Sequence, residues 1–158
     1  MIRNTRLGLF GACAIAVLAM VGGLSTPALA DSKPAGASPV SGKEVIAIYS
    51  GKSWKWSKGG AHFSPNGQFK ALWQASVGIG KWSVNTKGTM CYLATWYWED
   101  GGLTQQEKKS CFKHVRTKSG EVWRHFETDG WQRLKIENIS SGDKFGSKIS
   151  RMKKNLGI

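Results

Sequence analysis

The chain has 158 residues, with 23 lysines and arginines against 10 aspartates and glutamates and a formal net charge of +13. This length suits one globular domain with its own core. After residue 30 no segment approaches the roughly 20 consecutive apolar residues with which a helix crosses a bilayer, so we expect this part of the chain to be soluble. The charge favours encounters with polyanions, although a high net charge also serves simply to keep a domain in solution.

The first 30 residues have the pattern of an export signal. Arg3 and Arg6 precede an apolar run over 7–24, and Ala28-Leu29-Ala30 supplies the small residues of a cleavage site. Glycines interrupt the run, which favours a cleaved signal peptide over an uncleaved membrane anchor. The sequence therefore predicts a periplasmic or secreted protein. Its mature part would carry a net charge of +11, because two arginines are removed from the +13 of the chain.

A linker and a short helix are predicted next. Residues 31–40 are small, polar or proline except for Val40, which predicts a flexible linker. Ser41 and Glu44 have the spacing of a capping box at a helix start, and Gly51 suits the end of that helix.

Residues 41–137 are predicted to form the folded β domain. After the helix, short aromatic and β-branched segments alternate with turns such as Asn66-Gly67 and Asp129-Gly130, whose residues supply the positive φ of tight hairpins. This pattern predicts a mainly β fold, an antiparallel meander forming a small barrel or strongly curved sheet with one short N-terminal helix. The predicted strands are 53–57, 61–64, 68–76, 80–84, 89–98, 108–117, 121–127 and 131–137.

Cys91 and Cys111 fall on two consecutive predicted strands. Two cysteines in an exported chain most often pair, and a disulfide would join these strands across a loop at 99–106. A metal or redox pair is the competing interpretation. The separation of 20 positions, without a CxxC motif or an adjacent histidine, argues against both.

Residues 138–158 form a basic, amphipathic C-terminal tail. Apolar residues recur there at intervals of four, three and four positions, which places them on one helix face. Such a helix lies on an anionic membrane surface or an acidic partner, or it packs on the β domain. The apolar face is Phe145, Ile149, Met152 and Leu156, and the basic residues outside it are Lys148, Arg151, Lys153 and Lys154.

The Trp54-Lys55-Trp56 motif is the best candidate for a binding surface near the start of the sheet. Both tryptophans share one face of the predicted strand, and Lys52 and Lys58 add charge on either side. Exposed tryptophans beside lysines suit stacking on carbohydrate or contact with a lipid interface, whereas buried ones would serve only the core. These five residues and the four basic residues of the tail form the predicted binding site.

The sequence shows no pattern for catalysis, for a metal or for a cofactor. Its acidic residues stand mostly in turns, and no GxSxG motif is present. His114 and His125 could meet across a hairpin and hold a metal with Glu127, but the local spacing typical of metal ligands is missing. We therefore expect no cofactor and no catalytic residue; an enzyme that depends on either histidine is a weaker hypothesis.

The order of several motifs resembles the domain-of-unknown-function 995 family, small exported proteins of alphaproteobacteria. The resemblance covers roughly residues 41–137 and implies an exported β domain in which Cys91 pairs with Cys111. It implies no activity and no catalytic residues. The motifs are Gly51-Lys52-Ser53-Trp54, Gly60-Ala61-His62-Phe63, Gly80-Lys81-Trp82-Ser83-Val84, Gly88-Thr89-Met90-Cys91 and Ser110-Cys111-Phe112.

Taken together, these features predict an exported, non-catalytic binding protein for an anionic envelope component: a polysaccharide, a lipopolysaccharide or a lipid headgroup. The tail adds a possible peripheral contact with a membrane. The alternative is a protein that inhibits or assists another exported protein, for instance an acidic one, through the loop at 99–106. Nucleic acid is not the expected partner outside the cytoplasm.

Overall fold

The computed structural model describes residues 32–158, so the predicted signal peptide lies outside the described residues. Ten strands and two α-helices follow one another along the chain, and a 3-10 helix at Ile136–Asn138 stands between the last two strands. The elements are β1 (Ser38–Pro39), α1 (Gly42–Tyr49), β2 (Lys52–Trp56), β3 (Gly59–Phe63), β4 (Gln68–Trp73), β5 (Ser76–Val84), β6 (Met90–Glu99), β7 (Leu103–Arg116), β8 (Val122–Phe126), β9 (Gly130–Arg133), β10 (Ile139–Ser141) and α2 (Gly146–Leu156).

The strands form one antiparallel sheet in the order β10-β2-β3-β4-β5-β6-β7-β8-β9, and β1 pairs separately with β7. The two edge strands, β9 and β10, are neighbours in the sequence, so the sheet curls into a half-barrel whose edges come from one chain segment. The predicted mainly β, antiparallel class is confirmed. One loop prediction is wrong. In place of a loop at 99–106, β6 and β7 continue as a hairpin with Glu99 opposite Leu103. The polar residues at the start of β7 become part of the strand because they pair with β6.

Helix α1 covers one end of the half-barrel. Its predicted capping box is present: the Ser41 amide donates to Glu44 Oε2 at 3.0 Å, and the Glu44 amide donates to Ser41 Oγ at 3.3 Å. The apolar face of the helix is fully buried through Val45 and Tyr49. Phe63 and Phe69 pack beneath it on the inner face of the sheet, so this end of the half-barrel is a closed core.

The predicted linker ends inside the fold. Strand β1 pairs with β7, and Val40 is 1% exposed, with its amide donating to the His114 carbonyl at 3.1 Å. The chain is therefore fixed from about residue 38 onwards, where β7 supplies a partner strand.

The Cys91–Cys111 disulfide is present. The two residues are directly opposite each other in the register of β6 and β7, with Cα atoms 4.1 Å apart. Adjacent antiparallel strands bring cysteines this close only at such a position.

Helix α2 packs on the outer, convex face of the sheet. Ile149 is 2% exposed and contacts Leu72 and Val77, so the predicted apolar face covers the β domain. Phe145 lies over Gly60, where a Cβ atom would overlap its ring. The tail is thus a fixed part of the fold with its basic residues turned outward.

Candidate functional site: an aromatic cleft

The half-barrel is open at the end away from α1 and forms a cleft of about 1030 Å³ there. Antiparallel pairing explains its position, because the ends of β2, β4, β6 and β8 lie together at this end of the sheet. Eight aromatic side chains form the walls: Trp54, Trp56, Trp73, Tyr92, Trp96, Trp98, Phe112 and Phe126.

Alternation along β6 and a glycine on β5 create this wall. Tyr92, Trp96 and Trp98 occupy alternate positions of β6 and point inward. On the neighbouring strand Gly78 is opposite Trp96, and a Cβ there would lie 2.9 Å from the indole ring. The missing side chain therefore makes room for the indole against the backbone of β5.

Arg124 lies in this cleft on β8, against the rings of Trp54 and Phe112. Its guanidinium carbon is 4.9 Å from the ring centre of Trp54 and 5.4 Å from that of Phe112. The side-chain hydrogen bond of the guanidinium goes to a neutral amide, Gln132 Oε1, at 2.9 Å. Within residues 32–158 no carboxylate comes within 4 Å of it. Burial lowers the pKa of Arg124, opposed by Tyr49 and by Asp129 nearby.

A second arginine at the rim shows the contrast. Arg133 is about half exposed, and carboxylates lie on both sides of it, with Glu121 at 3.7 Å and Glu137 at 3.5 Å. The exposed guanidinium is therefore neutralised, whereas the half-buried guanidinium of Arg124 is left with an uncharged partner. Asp129 is the one acidic residue among those that line the cleft in the described chain.

The Trp96 indole N–H is a further donor without a partner. Its Nε1 atom is buried, and no acceptor within residues 32–158 receives its hydrogen bond. Trp123 Nε1 is in the same state but does not line the cleft. An unsatisfied buried donor costs about 1–3 kcal/mol, so an acceptor brought by a ligand would be favourable at Trp96.

The histidines considered for a metal or for catalysis do not come together. His114 faces the inner core opposite Arg124, while His125 lies on the other face of the sheet against Trp131. His125 follows Arg124 on β8, and consecutive positions on a strand point to opposite faces, so His125 faces away from His114. His114 is enclosed by Tyr49 and the Gly88 carbonyl, and burial lowers its pKa to about 4. No cluster of three His, Cys, Asp or Glu side chains suited to a metal occurs in the described part of the chain.

The third histidine, His62, lies on the outer face of the sheet, where its side chain contacts Ser53. Its Nδ1 is 3.4 Å from Ser53 Oγ, which also donates to the Gly142 carbonyl at 2.8 Å. The same oxygen accepts from the Lys144 amide at 3.0 Å. These bonds hold the segment before α2 on β2, and they leave the Ser53 hydroxyl fully used.

The nine predicted binding residues are divided among several places. Trp54 and Trp56 line the cleft, as their shared strand face indicates, although Trp54 is only 7% exposed. Lys52 lies at the α1 end, where its Nζ donates to the Ala47 carbonyl at 2.6 Å. The remaining residues lie near or on α2: Lys55, Lys58, Lys148 and Arg151 line a groove on the outer face, whereas Lys153 and Lys154 line neither cavity.

Sequence reasoning missed Arg124, the most distinctive residue of the cleft. The signal was available, because Val122, Arg124 and Phe126 alternate along β8 and place the arginine on an otherwise apolar face.

Comparison with known proteins identifies a family. A model of the protein family of unknown function DUF995 matches residues 16–154. The chain belongs to this family. The DUF995 match includes the cysteine pair and most of α2, and it extends beyond the 41–137 that the sequence motifs cover. Searches of curated proteins and of solved structures each found no significant match.

The disulfide of this DUF995 protein is compatible with an exported protein, since disulfides persist outside the reducing cytoplasm. Among residues 32–158, no helix has both the length and the apolar character needed to cross a membrane.

Proposed function

We propose that this DUF995 protein is a non-catalytic binding protein for an acidic glycan of the cell envelope, with an acidic sugar unit bound at Arg124 in the aromatic cleft. The observation that carries the proposal is Arg124, a half-buried cation in a ligand-sized cleft whose nearest polar partner is the neutral Gln132. Because no carboxylate of the described chain lies within 4 Å of this guanidinium, it is prepared for the anion of a ligand.

Arginine is suited to this task by its shape and its charge. The planar guanidinium presents a fork of donors that matches a carboxylate in a bidentate arrangement. Partial burial against Trp54 and Phe112 reduces screening by water, which strengthens the attraction to an anion. The same rings hold the guanidinium plane in position, so little side-chain entropy is lost on binding.

The walls favour a sugar ring as the body of the ligand. Tryptophan rings offer flat apolar faces that stack on the C–H faces of pyranose rings, and the cleft has five tryptophans. Polar groups of Gln106, Ser110 and Asn138 lie among the rings, as hydroxyl-bearing ligands require. The volume of about 1030 Å³ is at the upper end of the range for small-molecule sites and holds more than one ring.

Binding without chemistry is the better interpretation of this lining. Glycoside hydrolysis uses two carboxyl groups on either side of the scissile bond, and Asp129 is the one acid that lines the cleft in the described residues. The predicted signal peptide and the disulfide support a periplasmic or secreted location, where acidic polysaccharides are available.

The test compares trimers of galacturonic, mannuronic and guluronic acid with their neutral methyl esters in a calorimetric titration. We expect at least one acid to bind and its ester to bind about tenfold to a hundredfold more weakly, because a charged hydrogen-bonded pair contributes about 1.5–3 kcal/mol. The Arg124→Gln variant should lose the preference for the acid. The Arg116→Gln variant removes the same charge outside the cleft and should keep it.

Three results would overturn the proposal. The first is equal affinity for acid and ester, and the second is unchanged acid binding by the Arg124→Gln variant. The third is failure of all three acids to bind; if laurate binds in that case, the ligand is an anionic lipid instead of a glycan.

A further inference from the structure

A second cavity on the outer face of the sheet has a strongly basic lining. This outer groove lies between the β2–β3 hairpin and α2 and has a volume of about 510 Å³. Four cations line it, and no aspartate or glutamate is among its lining residues in the described chain. The four cations are Lys55, Lys58, Lys148 and Arg151.

The charges of the outer groove have no internal partner. The ion pairs within residues 32–158 involve Arg116 and Arg133, both away from the groove. Like charges around one concavity repel one another, and an anion placed among them relieves that repulsion. Leu72 and Met152 form an apolar floor in the groove. Contact with the C–H face of a sugar ring is more favourable for this floor than contact with water.

The arrangement of α2 directs two of its cations at the groove and two away from it. Lys148 and Arg151 are three positions apart and share a helix face. Lys153 and Lys154 lie outside the groove, although they add the same charge to the same helix. Burial of Ile149 fixes the helix in this orientation, so the groove is a stable feature of the fold.

The outer groove and the aromatic cleft adjoin each other. Lys55, Trp56 and Ser57, at the end of β2, line both cavities. Building on the proposed function, we propose that the outer groove binds the units of a longer acidic glycan chain that follow the first three, which lie in the cleft. The ligand then crosses the protein edge at the end of β2, and its affinity rises with chain length.

Chain length provides the test. The acid that binds best as a trimer is titrated again as a decamer, and we expect the decamer to bind at least tenfold more tightly to the native protein. The Lys148→Gln/Arg151→Gln double variant should lose this gain while its trimer affinity stays unchanged. The Lys153→Gln/Lys154→Gln double variant removes equal charge from the same helix and should keep the gain. All four side chains lie at the surface or partly buried, and thermal unfolding of both variants checks the fold.

The outcomes separate the groove from the cleft. If both double variants lose the gain equally, only net charge matters and the groove proposal is wrong. A different result would be normal trimer binding by the Arg124→Gln variant together with loss of the decamer gain in the groove variant. The cleft proposal then fails. The groove would act as an independent polyanion site, which overturns the arrangement of one glycan chain across both cavities. If the groove variant weakens binding to vesicles containing phosphatidylglycerol and leaves the decamer unaffected, the surface binds lipid and the glycan assignment is wrong.

Discussion

Both ends of the half-barrel contain aromatic and basic side chains, which are packed and hydrogen-bonded at the α1 end and line a cleft at the other end. At the α1 end, His114 is 3% exposed, and both of its ring nitrogens have partners in Tyr49 and the Gly88 carbonyl. Arg124 is opposite His114 in the register of β7 and β8 and faces the same interior, but it points into the cleft with one neutral partner. One pair of strands therefore carries a completed polar site beside an incomplete one.

The aromatic residues show the same division. Phe63 and Phe69 are at most 1% exposed and pack tightly under α1, whereas Trp56 and Trp98 are partly exposed around the cleft. Because α1 covers only one end, rings at that end stabilise the fold and rings at the other end remain available to a ligand. We expect substitutions at the closed end to reduce stability and substitutions at the open end to reduce binding.

The largest difference should appear between two aromatic truncations. Phe69→Ala removes a fully buried ring stacked on Tyr92 at 4.3 Å and should lower the free energy of unfolding by about 3–5 kcal/mol. Trp98→Ala, at the cleft wall, should cost roughly 1 kcal/mol. Urea unfolding followed by circular dichroism measures both, and equal losses would show that the cleft belongs to the rigid core.

Acid should destabilise the closed end through His114. Burial lowers its pKa in the folded state to about 4, below the value of 6.5 for an exposed histidine. The unfolded chain therefore takes up this proton first as the pH falls, and about 3 kcal/mol of stability is lost between about pH 6.5 and pH 4. Above that range the group contributes fully, and below it no further loss arises from His114.

The comparison with a His114→Gln variant isolates this contribution from that of the carboxylates. The variant should be less stable at neutral pH and should show a flatter dependence over the same range. Parallel curves for the two proteins would contradict the assignment to His114.

A smaller effect is expected from the hydroxyl group of Tyr49. The Gly88 carbonyl only accepts, so His114 Nδ1 carries the proton and Nε2 accepts from the Tyr49 hydroxyl at 3.0 Å. Burial raises the pKa of Tyr49, which keeps this donor protonated. Tyr49→Phe should cost about 1–2 kcal/mol in chemical unfolding. Tyr97→Phe, the same change on β6, should cost less than about 0.5 kcal/mol, and similar costs would exclude a special role for the Tyr49 hydroxyl.

Local patterns in the sequence predict most of the strands, because turn residues and alternation are local properties, but they continue one strand over 68–76 through the turn between β4 and β5 and miss β10. They fail at the start of β7, where Thr104, Gln105 and Gln106 lack an apolar alternation and become a strand only by pairing with β6. The cleft depends on which end of the curled sheet α1 covers, and no local pattern contains that information. Trp54 and Trp56 are identified by their shared face on one predicted strand, whereas the role of Arg124 is visible only once the inner face of the sheet is known.

The smallest effect on stability is expected at the open end, for Arg124→Gln. Loss of the guanidinium removes its stacking on Trp54 and Phe112, worth about 0.5–2 kcal/mol, but it also removes the cost of holding a charge partly out of water. These contributions have opposite signs, so the free energy of unfolding should stay within about 1 kcal/mol of that of the native protein. A loss above 2 kcal/mol in urea unfolding would mean that Arg124 is a structural residue like His114. Near-native stability combined with lost glycan binding would instead show that the fold retains this charge for its ligand.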